Sequence, residues 1–347
     1  MKLLVCALEP SSNLHLEALL KELPCDVELM GIFDKKLGNP NYDITELSIM
    51  GFVDALKKLR FFLKLNKEIA KLSLEADKIL LMDSSGFNLP LAKKIKKLDP
   101  KKEIIYYILP QAWAWKKGRI PKIEKYCDTL CSILPFEKDH YTKQEMIHYV
   151  GHPLLDEIKH FKKEVTSTRS IAFMPGSRRG EITKLMPIYK ELVKQIEGTP
   201  ILIIPPKFTD NYIDEVYGDI SEFEVSRDTH STLQDADFAF ICSGTATLEA
   251  ALIGTPFVLN YIAKKLDYFI GSKLVKIKYI GLANIFFDKM NKPPIHKEFV
   301  QEEVTVQNLL NEYHTLDRKL FLQNSQILRE YLQHGSSQNV AKHICKL

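Results

Sequence analysis

The turn PGSRR, residues 175–179, carries two arginines between an apolar run and a helical pattern. The apolar residues 171–174 predict a buried strand that leads into this turn. A turn between a strand and a helix presents backbone N–H groups to an anion. The GxxxxGK[ST] and GxGxxG patterns of common nucleotide-binding turns are absent from it. The segment is therefore either an anion site or an ordinary connection whose arginines face solvent.

A second turn of this type, SGT at residues 243–245, follows the apolar run 238–242 and precedes another helical pattern. Its small side chains leave N–H groups accessible at a helix N-terminus. Glu249 lies one turn into that helix, where a carboxylate could accept hydrogen bonds from a ribose diol. The simpler alternative makes Thr245 an N-cap and Glu249 a solvated first-turn carboxylate.

Asp83 follows the apolar run 78–82, at the carboxyl end of a predicted strand. Ligands of open α/β sheets bind outside this edge, and a carboxylate there could act as a general base. The simpler role is an N-cap for the helical pattern that follows. The two roles could coexist in one residue.

Strand-like and helix-like segments alternate almost throughout the chain. Strands that are apolar on both faces indicate parallel sheets covered by helices on two sides. The polar segment 159–170 is a plausible linker. We therefore predict an α/β fold with two Rossmann-like doubly wound domains, residues 1–165 and 166–325, which face a shared cleft. Residues 326–347 are predicted to form a C-terminal helix packed on the first domain.

The composition is that of a soluble globular protein, with 347 residues, 27% charged residues and a net charge of +4. This mild charge does not require a nucleic-acid partner. The six cysteines form no CxxC pair, which favours reduced thiols in the cytoplasm. The first apolar run is too short for a signal peptide, and none approaches the length of a spanning helix.

Together, these motifs resemble those of lipid-A-disaccharide synthases, which are glycosyltransferases with two Rossmann domains (GT-B). The matching segments are IMGFVDAL, DSSGFNLPLAKKIK, LPQAWAWKKGRIPKI, LPFEKDHY, YVGHPLLD, PGSRRGEI, SGTATLEAALIGTPFVLNY and YIGLANIF. They occur in order over most of the chain. The resemblance implies condensation of UDP-2,3-diacylglucosamine with 2,3-diacylglucosamine 1-phosphate. The products would be lipid A disaccharide 1-phosphate and UDP, formed with inversion and without a metal or another cofactor.

The resemblance assigns the two turns to the UDP diphosphate of the donor. Arg178 matches the motif arginine and would stabilise the departing UDP, which makes it a catalytic candidate. Asn284 matches an asparagine near the donor. The expected donor-site residues are Gly176, Ser177, Arg178, Ser243, Gly244, Thr245, Glu249 and Asn284.

The acceptor side departs from the family pattern in two places. Asp83 matches the first aspartate of Asp-x-Pro-Asp-Phe-Asn, while Gly86 replaces the second, so Asp83 is the expected base. The first loop reads LEPSSN where the family has Gly-Glu-Ala-Ser-Gly-Asp; its lost glycines predict a different shape. Glu9 remains an alternative base. The expected acceptor-site residues are Glu9, Ser11 and Asn88.

The basic segment 54–72 has apolar residues interspersed with lysines. It is either a helix packed on the sheet with solvated lysines or a face that binds anionic lipid. Diacylated substrates favour the second interpretation, because each methylene brought into water costs ~0.8 kcal/mol. We expect a peripheral protein on the inner face of the bacterial inner membrane. The expected membrane surface comprises Lys57, Lys58, Arg60, Phe61, Phe62 and Lys64.

Two rival functions remain open at this point. A UDP-sugar epimerase could use the same two-domain architecture, but it would need neither acyl groups nor a membrane face. A non-catalytic lipid-binding module would not need the paired anion-type turns. His15, which begins the first helical pattern, is interpreted as a local capping or packing residue.

Overall fold

The computed structural model describes residues 1–24, 26–49, 55–114, 117–165, 167–263 and 278–345, and the side chains of 47–49 and 55–58 lie outside this description. The predicted membrane residues Lys57 and Lys58 are therefore described only as backbone, and Trp115 of the AWAW motif is outside the described residues. The described cysteines are free thiols.

The chain forms two compact units. The first contains Met1–Glu157 together with Leu332–Leu347, and the second contains Ile158–Tyr331. The first boundary lies eight residues before the expected 165/166 junction, at the end of a short helix rather than inside the polar segment. The segment that rejoins the first unit begins at Leu332 rather than at residue 326.

The first unit is built on a seven-stranded parallel sheet of order β3-β2-β1-β4-β5-β6-β7. Its strands are β1 Lys2–Ala7, β2 Glu28–Phe33, β3 Tyr42–Asp43, β4 Lys78–Met82, β5 Ile104–Tyr107, β6 Thr129–Ser132 and β7 Ile147–Tyr149. Its first six helices are α1 Pro10–Glu22, α2 Ile44–Ile49, α3 Ala55–Leu72, α4 Ser85–Leu98, α5 Ile120–Tyr126 and α6 Pro153–Glu157. Strands β1 and β4 are almost entirely buried, as expected for a sheet covered on both faces.

The second unit has a six-stranded parallel sheet of order β10-β9-β8-β11-β12-β13. Its strands are β8 Ser170–Met174, β9 Thr199–Ile203, β10 Glu224–Ser226, β11 Phe238–Cys242, β12 Phe257–Tyr261 and β13 Glu298–Val300. The described helices are α7 Arg179–Val193, α8 Asp210–Tyr217, α9 Thr229–Asp235, α10 Thr245–Ile253, α11 Leu282–Lys289, α12 Val306–Thr315 and α13 Arg318–Leu332. The central strand β11 is buried along its whole length.

The last helix, α14 Ser336–Cys345, is held on the first unit by polar contacts at its start. The carboxylate of Asp156 accepts hydrogen bonds from the backbone N–H groups of Gly335 (2.8 Å) and Ser337 (3.1 Å). The Tyr107 hydroxyl, buried in the sheet, lies 2.8 Å from the Ser336 hydroxyl. The first N–H groups of a helix need such partners, so Asp156 fixes where α14 begins.

Candidate functional site

The two anion-type turns lie side by side at the carboxyl edge of the second sheet. Strands β8 and β11 are neighbours, and Ile241 pairs with Met174 just before both strands end. Residues 175–178 and 243–245, which we call the turn pair, therefore emerge next to each other. A Cβ atom on Gly176 would lie 3.2 Å from the Cys242 sulfur. The structure thus brings together two motifs that are separated by almost seventy residues in the sequence.

Gly176 cannot be replaced by another residue without distortion. Its φ of +103° lies in the region that favours glycine. A Cβ atom there would also lie 2.6 Å from Glu181 Oε2 and 3.0 Å from Glu181 Cβ. The absence of a side chain lets the turn close against helix α7.

Arg178 occupies the N-cap position of α7, and its side chain is 80% exposed. Its backbone N–H donates to Glu181 Oε2 at 3.3 Å, and its guanidinium Nη1 donates to Glu181 Oε1 at 3.1 Å. Glu181 therefore holds both the turn and the guanidinium. The sequence interpretation missed this role, although an acidic residue three positions after an N-cap is a recognisable capping signal.

The second turn leaves the N-terminus of α10 without a side-chain cap. The helix begins at Thr245 after the N-cap residue Gly244, so the alternative that Thr245 is itself the N-cap is wrong. Ser243 donates its N–H to the Asn260 carbonyl at 3.3 Å, and Thr247 Oγ1 donates to the Gly244 carbonyl at 2.8 Å. Uncapped N–H groups and the helix dipole favour an anion at this position.

Glu249 is a partly buried carboxylate rather than a solvated one. Its side chain is 18% exposed, and its Oε2 lies 3.8 Å from Nε2 of His230 on α9. His230 is a further polar residue near the turn pair that the sequence interpretation missed, since nothing in the local pattern of α9 distinguishes it.

The amide of Asn284, a residue predicted to lie near the donor, is hydrogen-bonded within the protein. The fully buried Nδ2 donates to the His296 carbonyl (3.0 Å) and to Glu298 Oε1 (2.8 Å). Oδ1 accepts from the N–H groups of Ile295 (2.9 Å) and His296 (3.3 Å). An amide has two N–H donors and two oxygen lone pairs, so these contacts use its full capacity. These contacts position the start of α11, and a contact between Asn284 and the donor stays a prediction.

Asp83 lies directly after β4, at the carboxyl edge of the first sheet. Its φ of +47° is unusual for a residue other than glycine, although aspartate tolerates it better than most. The backbone is held in place, since its N–H donates to the Tyr107 carbonyl (3.2 Å) and its carbonyl accepts from the Tyr106 hydroxyl (2.6 Å). The N-cap of α4 is Ser84, so the alternative that Asp83 serves as the N-cap is wrong.

The environment of the Asp83 carboxyl changes its proton affinity. Burial raises its pKa, and the negative charge of Glu9 acts in the same direction. The backbone N–H of Ser84 and the positive charge of His15 lower it, but the net pKa is raised. Raised carboxyl pKa values are frequent at catalytic sites.

Glu9 lies beside Asp83 because their strands are neighbours. Ala7 of β1 pairs with Met82 of β4, and the Ser84 hydroxyl donates to Glu9 Oε1 at 3.1 Å. The structure therefore groups the two candidate bases at one edge of the first sheet. Ser11 is exposed in the first turn of α1.

Two asparagines fix the turns that carry these carboxylates. Asn13 Nδ2 donates to the carbonyls of Ala7 and Glu9, both at 2.9 Å. Asn88 Nδ2 donates to the carbonyls of Met82 (2.9 Å) and Asp83 (3.0 Å). Each asparagine is the fourth residue of the helix that follows its strand. Asn88 is fully buried and positions the turn that carries Asp83, while its contact with the acceptor stays a prediction.

Helix α3 presents a different set of side chains from the one expected. Phe61 and Phe62 are partly buried against the core of the first unit, and their rings are 5.6 Å apart. They therefore contribute to packing rather than to a surface. Among the side chains of α3 that the structure describes, residues 59–72, the exposed apolar ones are instead Leu59 (57%) and Leu63 (51%), four residues apart on one face.

Charged side chains accompany the two leucines on this face. Arg60 is exposed, and the Lys64 side chain is 78% exposed. No helix among the described residues is long and apolar enough to cross a membrane.

The DAD segment, residues 235–237, lies at the edge of the second sheet opposite to the turn pair, because β11 begins immediately after it. Asp237 accepts hydrogen bonds from the backbone N–H groups of Thr168 (3.0 Å) and Arg169 (2.7 Å). These contacts give Asp237 a structural role at the strand entry. Within the described part of the chain, no group of three or more metal-ligating side chains is found.

The sequence has known relatives over its whole length. Residues 3–345 match the family model of lipid-A-disaccharide synthetase. A lipid-A-disaccharide synthase of Helicobacter pylori (strain G27) is 50% identical over 358 residues, covering 99% of this chain and 98% of that relative. One of Campylobacter jejuni (strain RM1221) is 50% identical over 360 residues, covering 98% of each chain.

The fold also has known counterparts. A UDP-GlcNAc 2-epimerase from Neisseria meningitidis bound to UDP-GlcNAc has a TM-score of 0.59 at 11% identity, with full coverage of both chains. MurG of Acinetobacter baumannii has a TM-score of 0.57 at 12% identity, covering 100% of this chain and 99% of MurG. Identities this low show the fold alone, and they confirm the predicted α/β architecture of the GT-B type.

The two glycines flanking Arg178 and Arg179 provide a matched test of the turn. Gly176→Ala should weaken the binding of UDP, used as the anionic probe, because the new methyl group displaces Glu181 and strains the backbone. Gly180→Ala should leave UDP binding unchanged, because a Cβ atom there meets nothing within 4 Å. Calorimetry with both folded variants measures the difference. Equal UDP affinities for the two would contradict the assignment of the turn as an anion site.

Proposed function

Because the chain belongs to the lipid-A-disaccharide synthetase family, we propose that it joins UDP-2,3-diacylglucosamine to 2,3-diacylglucosamine 1-phosphate. The products would be lipid A disaccharide 1-phosphate and UDP. Relatives at about 50% identity are synthases, which identifies the chain as a glycosyltransferase enzyme, whereas the epimerases are neighbours in fold only. The observation that carries the proposal is the turn pair on adjacent strands.

The turn pair is proposed to bind the diphosphate of the donor. The N-terminus of α10 offers backbone N–H groups, and Arg178 offers a guanidinium that is exposed apart from its contact with Glu181. As the sugar–phosphate bond breaks, UDP gains negative charge. Fixed N–H groups and a guanidinium then stabilise the transition state more than the ground state. Glu249 is proposed to accept hydrogen bonds from the ribose.

Asp83 is proposed as the general base for the acceptor. Its carboxylate takes the proton of the 6′-hydroxyl while that oxygen forms a bond to C1 of the donor sugar. The bond between C1 and the phosphate oxygen breaks, and UDP leaves with the electron pair. A single displacement inverts the configuration at C1, as the α-linked donor and β-linked product require.

The exposed face of α3, comprising Leu59, Arg60, Leu63 and Lys64, is proposed to dock on an anionic membrane surface. Diacylated substrates remain in the bilayer because long acyl chains are costly to transfer to water. Basic side chains near an anionic surface contribute roughly 1 kcal/mol each. On these grounds we propose that the protein works at the inner face of the bacterial inner membrane.

A direct test measures UDP release from the two defined diacylated sugars in mixed micelles. A glycosyltransferase releases UDP only when both sugars are present, and the disaccharide forms in equal amount. An epimerase would alter the donor sugar without the acceptor. A lipid-binding module would release no UDP, and either of these results would contradict the proposal.

Replacement of Asp83 by asparagine tests the base. Asparagine also tolerates a positive φ, so the strained turn should remain intact. Turnover should fall by roughly 10²–10⁴-fold, because the amide cannot accept the proton. UDP affinity and the thermal midpoint should stay near those of the wild type. A folded variant with nearly full turnover would reject Asp83 as the base and make Glu9 the next candidate.

The pH dependence of turnover provides a second measure of the same residue. Asp83 must be ionised to act as a base, and its pKa is raised mainly by burial. Activity should therefore fall as the pH drops through this raised pKa, at a higher pH than for an ordinary aspartate. An acid limb at the pH of an unperturbed carboxyl would contradict the assignment.

Membrane docking can be divided into an apolar and an ionic contribution. Leu59→Ser with Leu63→Ser should reduce cosedimentation with anionic vesicles at all salt concentrations, because it removes exposed apolar area. Arg60→Gln with Lys64→Gln should reduce it mainly at low salt, because salt screens the ionic attraction. Exposed Leu320 in α13 provides a control, and Leu320→Ser should have no effect. Equal binding by all variants would exclude this face.

A further inference from the structure

A guanidinium from a distant part of the chain is held at the turn that carries Asp83. Arg119 Nη1 donates to the Ser85 hydroxyl at 2.7 Å, and the two residues are 34 positions apart in the sequence. Arg119 is the last residue before α5, and Ser85 is the first residue of α4. Both side chains are partly exposed. The mechanism proposed above assigns no role to either of them.

The order of the strands explains how this contact forms. Strands β4 and β5 are neighbours, and Met82 pairs with Tyr107, so the connections that follow them begin at the same edge of the sheet. The backbone N–H of Asp83 donates to the Tyr107 carbonyl at 3.2 Å. The hydrogen bond from Arg119 then joins the end of the β5–α5 connection to the start of α4. A cation is thereby held at the residue two positions after the proposed base.

The surroundings of this contact combine negative charge with open space. Glu9 accepts a hydrogen bond from Ser84, which lies between Asp83 and Ser85 in the chain (3.1 Å). The two carboxylates would repel an anionic substrate unless a cation compensates for them. Gly86 is exposed, and a Cβ atom there would meet nothing within 4 Å. A ligand can therefore approach the guanidinium from this side.

We propose that Arg119 and Ser85 bind the 1-phosphate of the acceptor sugar and thereby select a phosphorylated acceptor. The inference rests on the proposed function, which supplies an acceptor with a 1-phosphate. A guanidinium has five N–H donors and forms charge-assisted hydrogen bonds with phosphate oxygens. A hydroxyl that accepts a hydrogen bond can donate its own proton at the same time, so Ser85 supplies a second kind of donor.

The covalent structure of the acceptor fits these positions. In a pyranose ring, C1 and C5 are bonded to the same ring oxygen. The phosphate on C1 and the attacking hydroxyl, which C5 carries through C6, therefore lie on the same side of the sugar. An acceptor whose hydroxyl faces Asp83 brings its phosphate to the edge of the sheet where Ser85 holds Arg119. Binding of the phosphate would thus orient the hydroxyl for attack.

Binding of the acceptor in the absence of the donor tests this inference. We would titrate 2,3-diacylglucosamine 1-phosphate, and the same sugar without its phosphate, into the protein in detergent micelles. The wild type should bind the phosphorylated sugar at least about tenfold more tightly, because charge-assisted hydrogen bonds are strong. Arg119→Gln should lose most of this preference by binding the phosphorylated sugar alone more weakly. A residue that only anchored the connection would weaken the binding of both sugars equally.

Three further variants control for folding and for charge. Arg119→Lys keeps the charge but not the planar set of donors, so it should retain part of the preference. Ser85→Ala keeps the guanidinium and should lower the preference less than Arg119→Gln does. Lys125→Gln removes an exposed positive charge from the other end of α5 and should leave the preference unchanged. Thermal midpoints near that of the wild type establish that the variants are folded.

The results distinguish this inference from the proposed function. Equal affinity of the wild type for the two sugars, or a wild-type preference in folded Arg119→Gln, would overturn the phosphate site. Either result leaves glycosyl transfer intact, because transfer is measured separately by UDP release. A lack of UDP release would contradict the proposed function, whereas a phosphate preference that is lost in Arg119→Gln would still support the site.

Discussion

The lack of space for a side chain at Gly176, between Glu181 and Cys242, is the constraint on which the turn pair depends. Parallel strands end at a common edge, so β8 and β11 deliver their turns next to each other. A side chain at Gly176 would occupy the space of the Glu181 carboxylate and press on the Cys242 sulfur. With glycine there, one carboxylate can hold the turn and orient Arg178 at once. The uncapped N-terminus of α10 then lies beside the turn that carries Arg178.

In the first unit, asparagine side chains hold the turns between strands and helices in place. Asn13 and Asn88 occupy the same position in two strand–helix connections whose strands, β1 and β4, are neighbours in the sheet. Each asparagine ties its turn to the carbonyl at the end of its strand. These ties account for a first loop that holds Glu9 beside Asp83 even though the glycines of the family pattern are missing. Burial then raises the pKa of Asp83, the proposed base.

Much of the fold and of the candidate site could be predicted from the sequence, because the fold follows from apolar runs that alternate with helical patterns. The turn pair was found through its small residues, and Asp83 through its place after an apolar run. The sequence did not reveal side-chain contacts that lie outside the local helix and strand patterns. The amide of Asn284 forms all its hydrogen bonds with residues 295–298, and the imidazole of His15 is hydrogen-bonded to the Glu157 carboxylate. Neither contact leaves a local pattern. On α3, the helical spacing is compatible with an exposed face formed either by the phenylalanines or by the leucines. Packing against the core decides which face is exposed, because it partly buries Phe61 and Phe62 and leaves Leu59 and Leu63 exposed.

The family assignment and the geometry both support the proposal that the turn pair binds the diphosphate of a UDP-sugar. Calorimetric titration of UDP into the wild-type protein and into folded Arg178→Ala tests this most directly. The account predicts one UDP per chain and an affinity at least about tenfold lower in the variant, because a charge-assisted hydrogen bond contributes roughly 1.5–3 kcal/mol. Equal UDP affinity in the two proteins, or no binding by the wild type, would contradict it.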